Sequence, residues 1–408
     1  MQKYALAGFW RSCLLWWPQF MMPNRYAPSS QAHQADAFLN GKQVVLCVSN
    51  DLSHDQRLHR VCTTLVEAGA AVTLVGRRKK DSQPLPPQAY TTVRHKLPFE
   101  RGKLFYLALM LRQLLYLLRS KADLFVANDL DTLLAVWLAA RLRRKPFLYD
   151  AHEIFIEAPE LVHRPRTRAV WARLEGWLLP RTPLMYTVNQ SLADWYTQRY
   201  GLEARVVRNL PLPQPAPDTP ASERAPLLLY QGMVNLGRGV DLMIRSLHHL
   251  PHAWTLWVVG GGDVLNEIKT LAQTEGLTER VRFWGPQPFA ELPPITCQAR
   301  IGLSLEEDRG LNYRNASPNK LVDYLQAGLG VVCADLPEMR RLVTTYGVGQ
   351  VLHTRTPETL AQEILHVSDQ LQDPDFQQAI QNARQQLTWR AEQNALLDCY
   401  QTALAGSL

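Results

Sequence analysis

The chain has 408 residues, of which 46% are hydrophobic and 20% charged, enough for two domains with a full core each and not the composition of a disordered or fibrous protein. Its net charge of +7 is unevenly spread: residues 1–210 carry 29 lysines and arginines against 16 acidic residues, a surplus of 13, and residues 211–408 carry 15 against 21, a deficit of 6. Six cysteines (Cys13, Cys47, Cys62, Cys297, Cys333, Cys399) show no metal-type spacing, which fits a reducing cytosol better than an oxidising compartment.

No stretch reaches the roughly 18 uncharged apolar residues of a membrane span. The nearest, residues 5–22, is broken by Arg11, Ser12, Pro18 and Gln19 but holds Trp10, Trp16 and Trp17. No small-residue cleavage site follows, so it does not read as a signal peptide. Residues 1–40 read as an extension, either an interfacial anchor or a segment from an early start codon. The basic half suits an anionic membrane surface, a phosphorylated acceptor or nucleic acid, while its clusters at 77–80 and 141–145 read equally as solvated loops.

From residue 43 short apolar runs alternate with amphipathic stretches. Strands are predicted at 43–49, 71–76, 123–127, 146–150, 184–188 and 204–208, with helices at 55–68, 103–119, 132–142, 168–179 and 191–199 between them. Near-continuous apolar strands separated by helices imply a parallel sheet covered on both faces. Residues 211–226, PLPQPAPDTPASERAP, hold six prolines and read as a linker. A second set follows, with strands at 227–230, 255–259, 281–284, 300–305 and 330–334 and helices at 240–250 and 265–276. An amphipathic helix at 388–403 ends the chain. The expected fold is α/β: two Rossmann-like doubly wound domains, 41–210 and 227–385, face each other across a cleft. Ligands then bind at the carboxyl ends of both sheets.

The most informative stretch is 304–332, SLEEDRGLNYRNASPNKLVDYLQAGLGVV. Ser317 suits an N-cap and Pro318 the first helical position, Lys320 sits in the first turn, and Gly328 ends the helix in the left-handed conformation. Such a helix start, with a lysine in it, attracts an anion. Asn315 and Asp323 flank it with groups suited to hydroxyls, so the segment describes a nucleotide sugar. Tyr230-Gln231-Gly232 leads to Arg238-Gly239 and a helix, which puts a second cation at a second helix start, and Gly232 admits close backbone approach. Gly260 and Gly261 form a further turn after a strand without the spacing of a dinucleotide fingerprint. In the first domain, Tyr149-Asp150-Ala151-His152-Glu153 follows a strand directly, which places His152 at a sheet edge facing the cleft, suited to orienting or polarising a hydroxyl. Asn50, Asp51, Arg57, Asp129 and Glu153 also lie at carboxyl edges, where an acceptor would dock; Asp129 and Asp131 read equally well as helix caps.

The motifs VSNDLSHDQRLHRVC, VANDLDTLLA, LYDAHEIFIEAPEL, VVRNLP, YQGMVNLGRG and SPNKLVDYLQAGLGVVCADLPE, in this order and spacing over residues 43–400, resemble glycosyltransferase family 4, a retaining family with the GT-B fold. Among its members the chain is most similar to bacterial enzymes of surface-polysaccharide synthesis. The resemblance implies that Arg238 and Lys320 face the donor diphosphate, that His152 lies beside the transferred sugar, that residues 386–408 form a closing helix that crosses back to the first domain, and that no metal or other cofactor is needed. Where the family has two glutamates with seven residues between them, Asn315 and Asp323 stand here, so one carboxylate is lost. The expected partners are a nucleoside-diphosphate sugar, a glycan or lipid-linked acceptor and the inner face of an anionic plasma membrane, with no nucleic acid. A nucleotide-sugar epimerase of the same fold and a non-catalytic sugar-nucleotide binder stay open as alternatives.

Overall fold

The computed structural model describes residues 39–406 apart from residues 54, 159, 160, 162, 163 and 318. The readings made for the first 38 residues and for Pro318 lie outside the described residues. Two all-parallel sheets carry the fold. The first has seven strands in the order β3-β2-β1-β4-β5-β6-β7, with β1 Gln43–Cys47, β2 Ala71–Arg78, β3 Thr91–Lys96, β4 Leu124–Asn128, β5 Phe147–Ala151, β6 Met185–Thr187 and β7 Ala204–Val206. The second has six in the order β10-β9-β8-β11-β12-β13, with β8 Leu227–Gln231, β9 Thr255–Val259, β10 Val281–Gly285, β11 Ile301–Ser304, β12 Gly330–Ala334 and β13 Gly349–Leu352. Strands β4, β5, β8, β11 and β12 are buried along their whole length, which is why they stand out as apolar runs.

Helices α1 Gln56–Glu67, α2 Lys103–Arg119, α3 Leu130–Arg143, α4 Pro165–Leu178 and α5 Gln190–Tyr200 belong to the first domain. Asp55 caps α1 by accepting from the Leu58 amide, and Asn189 caps α5 by accepting from that of Leu192. The second domain carries α6 Val240–Ser246, α7 Leu265–Thr274, α8 Leu292–Thr296, α9 Leu311–Arg314, α10 Asn319–Gln326, α11 Pro337–Tyr346, α12 Pro357–Gln370 and α13 Pro374–Gln386. The sequence reading overlooked β3, β13 and helices α11 to α13. Both strands lie at sheet edges and are only partly buried, so their hydrophobic signal is weak. Each of the three helices opens on a proline, which suits a first helical turn as well as it suits a loop.

The proline-rich stretch 211–226 is tied to the second domain rather than slack. Buried Arg224 donates to the carbonyls of Thr219, Ala299 and Ala327, so one guanidinium satisfies three loop ends. The last helix, α14 Trp389–Ala405, lies on the first domain. Its Trp389 is 1% exposed, and the indole N–H donates to Thr64 Oγ1 at 2.9 Å. Glu392 accepts from the Arg208 guanidinium at 2.6 Å and from its amide at 2.8 Å. The chain therefore leaves the second domain to complete the core of the first. Trp389→Ala empties a fully buried site and removes one of the two donors to the Thr64 hydroxyl, so chemical denaturation is expected to show a loss of about 3–5 kcal/mol.

Candidate active site between the domains

A cavity of about 780 Å³ separates the two domains. Asn50, Asp51, His152, Glu153 and Asn189, all just beyond strand ends of the first sheet, line one wall, and Asn312, Asn315, Ser317, Asn319 and Asp323 line the other. The domains also touch across it. Asn312 Oδ1 accepts from the Ile154 amide at 2.9 Å while its Nδ2 donates to the Ile154 carbonyl at 3.1 Å. Asn189 donates to the Asn315 carbonyl at 2.8 Å, and the Ser191 hydroxyl to Glu338 at 2.5 Å.

In the second domain the structure brings Arg238 and Lys320 together on one carboxylate; neither lines this cavity, although Asn319, next to Lys320 in the chain, does. Glu306 is 2% exposed; its Oε1 lies 2.7 Å from Lys320 Nζ and 3.5 Å from an Arg238 terminal nitrogen, and its Oε2 accepts from Ser304 at 2.7 Å. Burial alone would raise the Glu306 pKa, but the Lys320 charge and hydrogen bonds outweigh it and the carboxylate is held ionised. Burial draws the Lys320 pKa down, opposed by Glu306 and assisted by Arg238. Lys320 also lies 4.3 Å from the Tyr230 ring centre, and Arg238 5.1 Å from that of Tyr313. The cluster carries two positive charges and one negative, leaving one net positive charge. The sequence reading passed over Glu306, although Ser304-Leu305-Glu306 at a strand end alternates so that the serine and glutamate share a side.

The glycines divide into different roles. A Cβ on Gly232 would lie 3.3 Å from Lys320 Nζ, so this glycine leaves room for the ammonium. A Cβ on Gly260 would meet the Gly232 carbonyl at 1.9 Å, and one on Gly261 the Pro286 ring at 3.1 Å, so neighbouring protein already accounts for both. Gly328 has φ +74° and ends α10 as read from the sequence. The helix starts at Asn319, with Ser317 exposed in the preceding loop and lining the cavity.

His152 stands between two carboxylates. Its Nδ1 is 3.3 Å from Asp129 and its Nε2 3.1 Å from Asp150, and its amide donates to Asp129 Oδ1 at 3.0 Å. The Nε2 approach is close but poorly aligned for a hydrogen bond. Burial would lower the imidazole pKa, but Asp129 and Asp150 more than offset it and hold it well above its ordinary value. The ring is thus an imidazolium with both nitrogens facing carboxylates, which does not suit a general base. Asp150 is fully buried; burial pushes its pKa up, yet Arg57 and His152 bring it to about 2.

Two residues read as acceptor contacts also hold this cluster together. Arg57, 5% exposed, lines the cavity, and its terminal nitrogens donate to Asp150 at 3.0 Å and to the Val207 carbonyl at 3.1 Å. Asp129 neither caps α3 through its side chain nor lines the cavity; it holds His152 from a backbone with φ +61° and ψ 165°, a conformation rare outside glycine. Asn50 and Asp51 line the cavity while bracing the loop after β1, through Asp55 and through Ser53 and Ser82. Glu153 accepts from Asn312 at 3.3 Å across the domain boundary. Asn315 is 8% exposed and lines the cavity, as does Asp323, whose carboxyl is pushed by burial up to about 6 against the pull of Arg60.

These shifts set two expectations. A raised histidine pKa contributes stability that is complete below the unfolded value near 6.5 and is lost as pH rises through the folded one. Imidazole NMR should show His152 protonated well past about pH 6.5, and Asp129→Asn should lower its midpoint. For Asp323 the folded protein binds the extra proton between about pH 4 and 6, so stability falls as pH rises through that window. Asp323→Asn should accordingly raise unfolding free energy by about 1–3 kcal/mol near pH 8 and leave it unchanged near pH 4, as measured by denaturant titration.

The family model for Glycosyltransferase Family 4 matches residues 55–211, and that for Glycosyl transferases group 1 matches residues 225–370. No curated protein sequence matches the chain. Among solved structures, a sucrose-phosphate synthase from Thermosynechococcus elongatus superposes with a TM-score of 0.71 at 18% identity, covering 90% of this chain and 100% of that one. Anabaena HepE in complex with UDP gives 0.69 at 16% identity, covering 88% and 100%. WaaG, a glycosyltransferase involved in lipopolysaccharide biosynthesis, gives 0.62 at 18%, covering 86% and 98%. At these identities the structural likeness establishes the fold. Together with the two matched family models, it shows that the chain belongs to the family 4-like glycosyltransferases of the GT-B fold.

Proposed function

We propose that the protein moves a sugar from a nucleoside-diphosphate sugar to an acceptor hydroxyl, with retention at the anomeric carbon, in the synthesis of a cell-surface polysaccharide or glycolipid. The observation that carries this reading is the convergence of Arg238 and Lys320 on Glu306 in the second domain. A net positive cluster held in place before the donor arrives suits the charge that grows on a departing diphosphate. Structures of HepE with UDP and with UDP-glucose support a donor of this class, and WaaG's part in lipopolysaccharide biosynthesis supports a surface-glycan or lipid-linked acceptor.

In this reading Arg238 and Lys320 contact the diphosphate, Gly232 leaves space for the lysine, and Asn315, Ser317 and Asp323 meet the sugar and ribose hydroxyls. The acceptor oxygen bonds to the anomeric carbon on the face from which the diphosphate leaves. The bond from that carbon to the phosphate oxygen breaks, and the acceptor proton passes to the released diphosphate. His152, held as a cation, orients the transferred sugar rather than taking the proton. The fixed cations supply the charge a metal ion would otherwise bring, so transfer continues in chelator. The enzyme is cytoplasmic and peripheral on the inner face of the plasma membrane, a position supported by the basic first half of the chain.

Arg238→Ala is expected to cut transfer about 10²–10³-fold. Lys320→Ala removes the nearest cation from the buried Glu306, so the matched variant is Lys320→Met with Glu306→Gln, which should fold but lose donor affinity. UDP or GDP at about 100 times its Kd should stabilise the wild type by about 2.7 kcal/mol in thermal unfolding and leave this variant unmoved. No shift with any nucleoside diphosphate would count against the reading, and a new free sugar from donor alone would favour an epimerase.

A further inference from the structure

Helix α2 is apolar on both sides. Phe105, Leu109, Gln113 and Leu117 are buried against the first domain, and Gln113 donates to the Val48 carbonyl at 2.9 Å. Leu104, Leu107, Leu111 and Leu115 lie on the opposite face, 55%, 50%, 47% and 45% exposed. Spacings of three, four and four residues put them in one line on a helix about 25 Å long. Phe99, 42% exposed, precedes the helix. A helix that is apolar all round is ordinarily covered on all sides, yet no described residue covers this face.

The charges beside the leucine line are of one sign. Arg101, Lys103, Arg112, Arg119 and Lys121 are exposed, and no acidic residue occurs from 101 to 122; exposed Glu100, ahead of the helix, accepts from the Lys80 amide at 3.1 Å. A protein partner would ordinarily meet a mixture of charges and hydrogen-bonding groups; here the face offers leucines and cations only. An apolar line bordered by cations matches acyl chains beneath anionic headgroups, where binding adds buried apolar area to electrostatic attraction.

We infer that the outer face of α2 is the surface on which this protein lies on an anionic lipid bilayer, with Leu104, Leu107, Leu111 and Leu115 at the acyl boundary and Arg112 and Arg119 among the headgroups. This rests on the peripheral location proposed above and not on the transfer reaction. The test is sedimentation of the full chain with vesicles of phosphatidylglycerol and phosphatidylcholine in equal parts, and with phosphatidylcholine alone. The wild type should bind the anionic vesicles, more weakly at high salt. Leu107→Gln/Leu111→Gln/Leu115→Gln should weaken that binding about tenfold or more with melting temperature unchanged. Arg112→Gln/Arg119→Gln should weaken it on anionic vesicles alone, and decides the matter if the leucine variant does not fold. The inference is overturned if the wild type fails to bind, or if it binds neutral vesicles equally well. It is also overturned if a folded leucine variant binds undiminished, which would assign binding to residues 1–38. Self-association abolished by the leucine changes would make a second copy the occupant and overturn it likewise.

Discussion

Two cations brought within reach of one diphosphate repel each other before the diphosphate arrives. At about 4 Å and an effective dielectric near 20 that repulsion is about 4 kcal/mol, enough to splay two flexible side chains. Glu306 answers this constraint. Its carboxylate draws Lys320 from the first turn of α10 and Arg238 from the loop before α6 toward one point, and Ser304 fixes its other oxygen. The aromatic faces of Tyr230 and Tyr313 hold the same two cations from the sides. Organisation of this kind is set by folding, so little rearrangement remains for the moment of reaction.

The first domain uses the inverse arrangement. There a cation, His152, is enclosed by Asp129 and Asp150, and Arg57 balances the buried Asp150 from the far side. The cost appears in the backbone of Asp129, held at positive φ to turn its carboxylate toward the ring. The second domain thus carries a carboxylate between cations and the first a cation between carboxylates. Each is a polar group that would be costly to bury alone and is tolerable because its neighbours neutralise it.

The two sites are mechanically linked. Glu306 and Asn312 belong to the same stretch between β11 and α10, and Asn312 makes two bonds to the main chain of Ile154, two residues from His152. A displacement of that stretch therefore bears on both clusters. Helix α14 adds a covalent route, since the chain that leaves the second domain ends in the core of the first.

The sequence by itself determined the two parallel sheets and their order along the chain, because fully buried strands must be continuous apolar runs and the helices between them carry readable caps such as Asp55. It also determined that Arg238, Lys320 and His152 lie near strand or helix ends, since backbone geometry puts them there. Edge strands β3 and β13 escaped it, for a strand half open to water needs no apolar run. What only the tertiary structure decided is the pairing of charges across distant segments: Lys320 with Glu306, Arg57 with Asp150, His152 with Asp129. A sequence shows which groups are charged, but which charge is neutralised depends on distances of a few ångströms that exist only once both sheets have formed and the last helix has closed onto the first domain.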